Sequence, residues 1–106
     1  ERLNGSYYSA EDVNITCDDV ALMNKETNYV LGLEGKSGNP APFTALGTYL
    51  GIKAAAKHKF GSDDLTGLTL SVQGLGSVGM YICERLHKEG AHLIVTDINA
   101  EAINWP

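Results

Sequence analysis

Residues 68 to 97 constrain this chain more than any other stretch. Leu68-Thr69-Leu70-Ser71-Val72-Gln73 is short, β-branched and mostly apolar, as a strand of a buried parallel sheet is. It runs directly into Gly74-Leu75-Gly76-Ser77-Val78-Gly79. Val78 to Lys88 then sets Val78, Ile82, Cys83 and Leu86 on one helical face, and Gly90 closes the helix. His92 to Thr96 reads as a second strand, ended by Asp97. Strand, glycine turn, helix and strand make a βαβ unit with parallel strands and a right-handed connection.

The spacing Gly74-x-Gly76-x-x-Gly79 is a weak signal alone. It gains weight because it follows a strand, opens a helix and is answered by an acid at the end of the next strand. Gly74 permits the tight turn, Gly76 lets a pyrophosphate approach the backbone, and Gly79 lets helix and strand pack closely. The helix start offers unpaired N–H groups and partial positive charge to phosphates. Asp97 can accept hydrogen bonds from both hydroxyls of an adenine-side ribose. It would repel a 2′-phosphate, which favours NAD over NADP. The competing reading is a βαβ turn with no ligand. FAD fits less well, because flavoprotein fingerprints usually open their chain, and a methyltransferase loop usually carries its third glycine sooner.

Upstream, Thr16 caps a short expected helix around 17–25, with Asp18 and Asp19 suited to its positive end. Tyr29-Val30-Leu31 reads as extended, and Glu34 to Pro42 as a loop dense in Gly, Ser, Asn and Pro. A long helix is expected over Phe43 to Phe60, with Pro42 in its first turn and Gly61 at its end. Phe43, Leu46, Leu50 and Ala54 share one face of it. Gly47 and Gly51, on another face, suggest a close approach to a neighbouring element, since glycine costs about 1 kcal/mol inside a helix. Asn99 can cap a further helix from Ala100.

Bulk properties narrow the function classes. The 106 residues suffice for one small domain, and 43% hydrophobic with 20% charged residues is ordinary globular composition. A net charge of -5 disfavours nucleic acid or an anionic membrane as the main partner. No apolar run approaches the roughly 20 residues of a membrane span. The first residues hold no apolar signal core. Cys17 and Cys83 form no paired spacing, so a reducing, cytoplasmic setting is the default expectation. The start in what reads as continuing structure, and the stop at Asn104-Trp105-Pro106, suggest a piece of a longer protein.

At this point the chain resembles a known family. "SAEDVNIT" (9–16), "KETNYVLG" (25–32), "SGNPAPFTALG" (37–47), "GIKAAAK" (51–57), "FGSDDLTG" (60–67), "VQGLGSVG" (72–79) and "HLIVTDIN" (92–99) look like the Glu/Leu/Phe/Val amino-acid dehydrogenases. Within that family the likeness is to leucine dehydrogenase and its aromatic-substrate relatives, and "DVNITCDDV" and "KSGNPAP" also resemble tryptophan dehydrogenase. The match runs along nearly the whole chain in order.

The resemblance implies an α/β fragment. Residues 1–42 would end a catalytic domain, 43–61 would be a hinge helix, and 62–106 would form the first half of a Rossmann NAD-binding domain. It implies reversible, NAD-dependent oxidative deamination of a branched-chain or aromatic L-amino acid to its 2-oxo acid and ammonia, by a homo-oligomer. Asp12 would be the catalytic aspartate that shuttles protons with a lysine. Its plain alternative is a surface carboxylate. The Thr44 hydroxyl would meet the nicotinamide carboxamide, against a first-turn helix threonine with no ligand. Cofactor contacts would extend from Gly74, Gly76 and Gly79 to Ser77 and Val78, and from Asp97 to Ile98. Ser37, Gly38 and Asn39 would line the cleft, or form a simple turn. The family's two lysines are expected upstream of Glu1, so the 106 residues alone are expected to be inactive.

Some residues depart from the pattern or fall outside it. Asn14 stands where leucine dehydrogenases often have Gly, Leu46 is in a variable position, and "NWP" does not match the family's continuation. Lys25, Lys36, Lys53, Lys57, Lys59 and Lys88 read as solvated surface, and His58 and His92 as surface or strand-edge residues. Tyr7-Tyr8 reads as packing under the catalytic domain. Cys83 and His87 are a helical i, i+4 pair, but further ligands are not evident, so no metal is expected. Cys17 has no placed base. Two readings from other classes stay open: a non-catalytic NAD-binding regulatory module, and a Rossmann enzyme of another reaction class.

Overall fold

Thr16 starts the first helix by a reciprocal cap. In the computed structural model, which describes residues 2–36 and 38–104, α1 spans Cys17–Met23. Asp19 N donates to Thr16 Oγ1 at 3.3 Å, and Asp19 Oδ2 accepts from Thr16 N at 2.7 Å. Two donors otherwise orphaned at the helix start are thereby satisfied. The Thr16 N–H holds the Asp19 carboxyl below its ordinary range. The helix ends two residues before its expected limit.

The chain forms two compact units, Glu1–Pro40 and Ala41–Pro106. In the first, Ser9 bridges Val30 in parallel, with Ser9 N donating to Tyr29 O at 3.0 Å and Leu31 N to Ser9 O at 2.7 Å. Val20 and Val30 are its buried apolar residues. Tyr8 and Tyr29 meet edge to face with centroids 5.6 Å apart. Tyr7, expected to pack, is instead 67% exposed. Ser37, expected at a cleft, lies outside the described residues.

The second unit begins with α2, Ala41–Phe60. The helix starts two residues earlier than the periodicity suggested, which places Pro42 in its first turn. Strand β1 is Thr69–Gln73, α3 is Ser77–Lys88, β2 is His92–Thr96 and α4 is Ala100–Ile103. The strands pair in parallel, from Thr69↔His92 to Gln73↔Thr96. Asn99 caps α4, its side chain accepting from Glu101 N at 3.0 Å. The core gathers Ala45, Ala56, Leu65, Ile82, Leu86 and Ala91, with Tyr49, Ile52, Leu70, Val72 and Leu93 against it. Ser71 and Ile94 on the other side of the sheet are exposed, so these strands are buried on one face where the sequence suggested two.

The packed face of α2 is also not the expected one. Phe43 and Leu50 are 73% and 55% exposed, while Ala45, Tyr49, Ile52 and Ala56 carry the core. The helix is apolar on both sides, so periodicity could not choose between them. The alanine side allows closer approach. Gly47 and Gly51 lie on the outer side, where an added Cβ would meet nothing within 4 Å. The close approach expected there is absent among the described residues.

Candidate functional site

The glycine turn assembles as its spacing implies. Gly74 leaves β1 at φ +97, a conformation that favours glycine, and its N–H donates to Thr96 O at 2.8 Å. Gly76 then caps α3 in extended backbone, with no side chain accepting from the first turn. A Cβ on Gly76 would meet nothing within 4 Å, so the space beside it is open. Gly79 is the opposite case: a Cβ there would sit 2.0 Å from Gly74 O and 3.0 Å from its carbonyl carbon. Only glycine lets α3 start that close to the turn. Open space beside Gly76 and a helix start without a side-chain cap suit an anionic group.

Asp97 completes the turn. Its Oδ2 accepts from Leu75 N at 2.5 Å and its Oδ1 from Asn99 N at 2.7 Å. The Asn99 and Leu75 N–H groups pull its pKa below the ordinary value of 3.8, so it is an anion at neutral pH. A carboxylate has about four acceptor positions. The Asn99 and Leu75 N–H groups, with a lesser contribution from the Ile98 N–H, leave acceptor capacity for a further donor. Leu75, unassigned from sequence, thus links the turn to the acid through its backbone. Ser77 is exposed, Val78 is half-buried, and Ile98 projects fully into solvent.

Thr44 is an exposed residue of the first turn of α2, and its carbonyl accepts from Thr48 Oγ1 at 3.0 Å. Asp12 belongs to the first unit. There Ile15 N donates to Asp12 O at 2.9 Å and closes a four-residue turn, with Asn14 at φ +60. Asn is the side chain that best tolerates this left-handed region after glycine. The structure therefore joins Gly74, Leu75, Gly76, Gly79 and Asp97 into one site, with Asp12 in the other unit.

Other candidates are less suited to chemistry. The Cys17 thiol donates to Glu11 Oε2 at 2.9 Å, and that bond raises its pKa, the reverse of an activated nucleophile. Burial raises the pKa of Cys83. Among the described residues no helix is long and apolar enough to cross a membrane. One lysine was misread from sequence. Lys53 is part-buried and paired with Glu89 rather than solvated.

Fold and turn together define an α/β fragment in which a glycine-rich turn joins a strand to a helix. No protein-family model matches the chain. In sequence it is 54% identical over 104 residues to leucine dehydrogenase of Bacillus cereus, covering 95% of this chain and 28% of that one. It is 43% identical over 107 residues to phenylalanine dehydrogenase of Lysinibacillus sphaericus, covering 98% and 28%. Among solved structures it matches the crystal structure of L-tryptophan dehydrogenase from Nostoc punctiforme. That match has a TM-score of 0.67 and 42% identity, covering 95% of this chain and 28% of that one. These residues are homologous to a segment of the amino-acid dehydrogenases, and the segment spans little more than a quarter of their length.

Proposed function

We propose that this segment belongs to an NAD-dependent amino-acid dehydrogenase. The enzyme would interconvert a branched-chain or aromatic L-amino acid with its 2-oxo acid and ammonia. The observation that carries the reading is the coincidence of 54% identity to a leucine dehydrogenase with the open space beside Gly76 and an ionised Asp97 bonded to the neighbouring Leu75 N–H. In this reading residues 1–42 close the catalytic domain, 43–61 are the hinge helix and 62–106 open a Rossmann domain. The full-length protein is a homo-oligomer.

The open space beside Gly76 and the ionised Asp97 support the NAD reading. Gly76 and the start of α3, with Ser77 and Val78, would take the pyrophosphate. Asp97, with Ile98 beside it, would accept from the ribose hydroxyls, and Thr44 would meet the carboxamide. When bound, the nicotinamide supplies a two-electron acceptor for the hydrogen on the substrate's α-carbon. Asp12 then holds and returns the proton exchanged when water adds to the substrate's C=N carbon and ammonia leaves. The family's lysines would lie outside this segment.

The test is a panel of leucine, valine, phenylalanine, tryptophan and glutamate with NAD on the full-length protein, followed by the absorbance of reduced nicotinamide. One of the first four should be oxidised. Asp12→Asn should lower turnover by about 100-fold or more and leave NAD affinity unchanged. Tight NAD binding with no turnover of any amino acid would reject the enzyme and favour a binding module.

A further inference from the structure

Glu89 sits at the C-terminal cap of α3, where the helix dipole disfavours an acid. The three basic residues of the last turn, Arg85, His87 and Lys88, follow the usual preference. Nothing in α3 itself accounts for Glu89, and the explanation lies across the helix interface. Tyr49 Oη donates to Glu89 Oε2, and Lys53 Nζ donates to Glu89 Oε1. Tyr49 and Lys53 are i, i+4 neighbours on α2, so one carboxylate is gripped by two successive turns of that helix. Leu65 N also donates to Oε1, at 3.4 Å, and Thr66 Oγ1 donates to the Glu89 carbonyl at 3.0 Å. The Arg85 guanidinium lies 5.9 Å from the Tyr49 ring centroid. The Lys53 and Tyr49 hydrogen bonds pull the Glu89 carboxyl below its ordinary range and raise both partners, so Glu89 and Lys53 are charged at neutral pH.

The apolar surface beneath constrains where α2 sits along α3 less strictly than directional bonds do. The α2 residues buried in this core are the alanines Ala45 and Ala56, with Tyr49 and Ile52 half-buried against it. Small alanine side chains interlock less deeply with a partner than large ones, so they resist a shift along it less. Directional polar bonds do not survive such a shift, and buried polar groups are best attested in setting register. We infer that Glu89 is a positioning residue, whose carboxylate locks α2, the helix carrying Thr44, in one register against α3, the helix that opens at the glycine turn. The inference rests on the cofactor reading above. There, the two helices hold opposite ends of one dinucleotide, and the lock sets the spacing between those holds.

The test compares two probes on the full-length protein: NAD, which spans both holds, and ADP-ribose, which lacks the nicotinamide and engages the glycine turn and Asp97 alone. Glu89→Ala should weaken NAD about tenfold and change ADP-ribose by less than about twofold, since small misplacements of a contact are costly. Glu89→Gln should recover part of the loss. Tyr49→Phe removes one arm of the lock and should give the same selective loss to a smaller degree, which keeps the test sound if Glu89→Ala fails to fold. Equal weakening of both probes, or of neither, overturns the inference. Wild-type protein that binds neither probe overturns the cofactor reading instead, a result separable from the first.

Discussion

Gly79→Ala, paired with Gly47→Ala, tests the geometry of the turn by two chemically identical changes expected to act in opposite directions. Both glycines lie in helices. At Gly79 the new Cβ would be 2.0 Å from Gly74 O and 3.0 Å from its carbonyl carbon, both backbone atoms. Carbon–oxygen contacts settle at about 3.3 Å or more, so α3 must retreat from the turn by roughly 1 Å. Overpacking of this kind costs about 1–3 kcal/mol, against a gain of up to about 1 kcal/mol from replacing a helical glycine. The net expectation is a loss of about 1–2 kcal/mol, toward the upper end because backbone cannot rotate away. At Gly47 nothing lies within 4 Å, so only the propensity gain remains, about 0.5–1 kcal/mol of added stability. Urea unfolding followed by circular dichroism measures both, with equal slopes confirming that stability alone has changed. In thermal unfolding, each kcal/mol moves the midpoint by about 4–8 °C for a unit this size. A Gly79→Ala protein as stable as wild type would refute the close approach, and with it the role given to that glycine.

Two further outcomes follow from hydrogen bonds described above. Asp97 has its folded pKa lowered, below an ordinary 3.8. Its contribution to stability is therefore complete above that value and is lost as pH falls through the folded pKa. Asp97→Asn should remove that part of the acid dependence, so the stability difference between wild type and variant shrinks as pH drops below about 4; a constant difference across the titration contradicts it. Thr16→Ala removes a reciprocal cap and should cost about 1 kcal/mol in urea unfolding, whereas a change indistinguishable from zero would mean that α1 does not depend on its cap.

Local chemistry was legible in the sequence wherever a single residue type has one physical job. Thr16 and Asn99 cap the helices they were expected to cap. Gly74 adopts a positive φ, and β2 runs from His92 to Thr96 as expected, ended by Asp97. What was not legible depended on partners distant in sequence. The inner face of α2 could not be chosen, because Phe43 and Leu50 on one side and Ala45, Ile52 and Ala56 on the other are all apolar. Lys53 looked like solvated surface because its partner, Glu89, lies far along the chain on another helix. A signal was present even there. An acid that ends a helix, against the dipole, asks for a cation elsewhere. The strand, turn and helix form in the expected order, but the part played by Leu75 N could not be seen, since a backbone donor carries no sequence signature.

The parallel register also governs how this unit can form. Every β1–β2 rung joins residues separated by the whole of α3. No hairpin can nucleate the sheet, because parallel neighbours need a crossover between them. The chain must close that long loop before any rung rewards it, and non-local pairing of this kind slows folding. Helix α3, whose bonds are local, can form first. Its contacts through Ile82 and Leu86 can then gather the strands. The glycine turn sits at the joint between the early and the late element, so the step that completes the sheet is also the one that completes the turn.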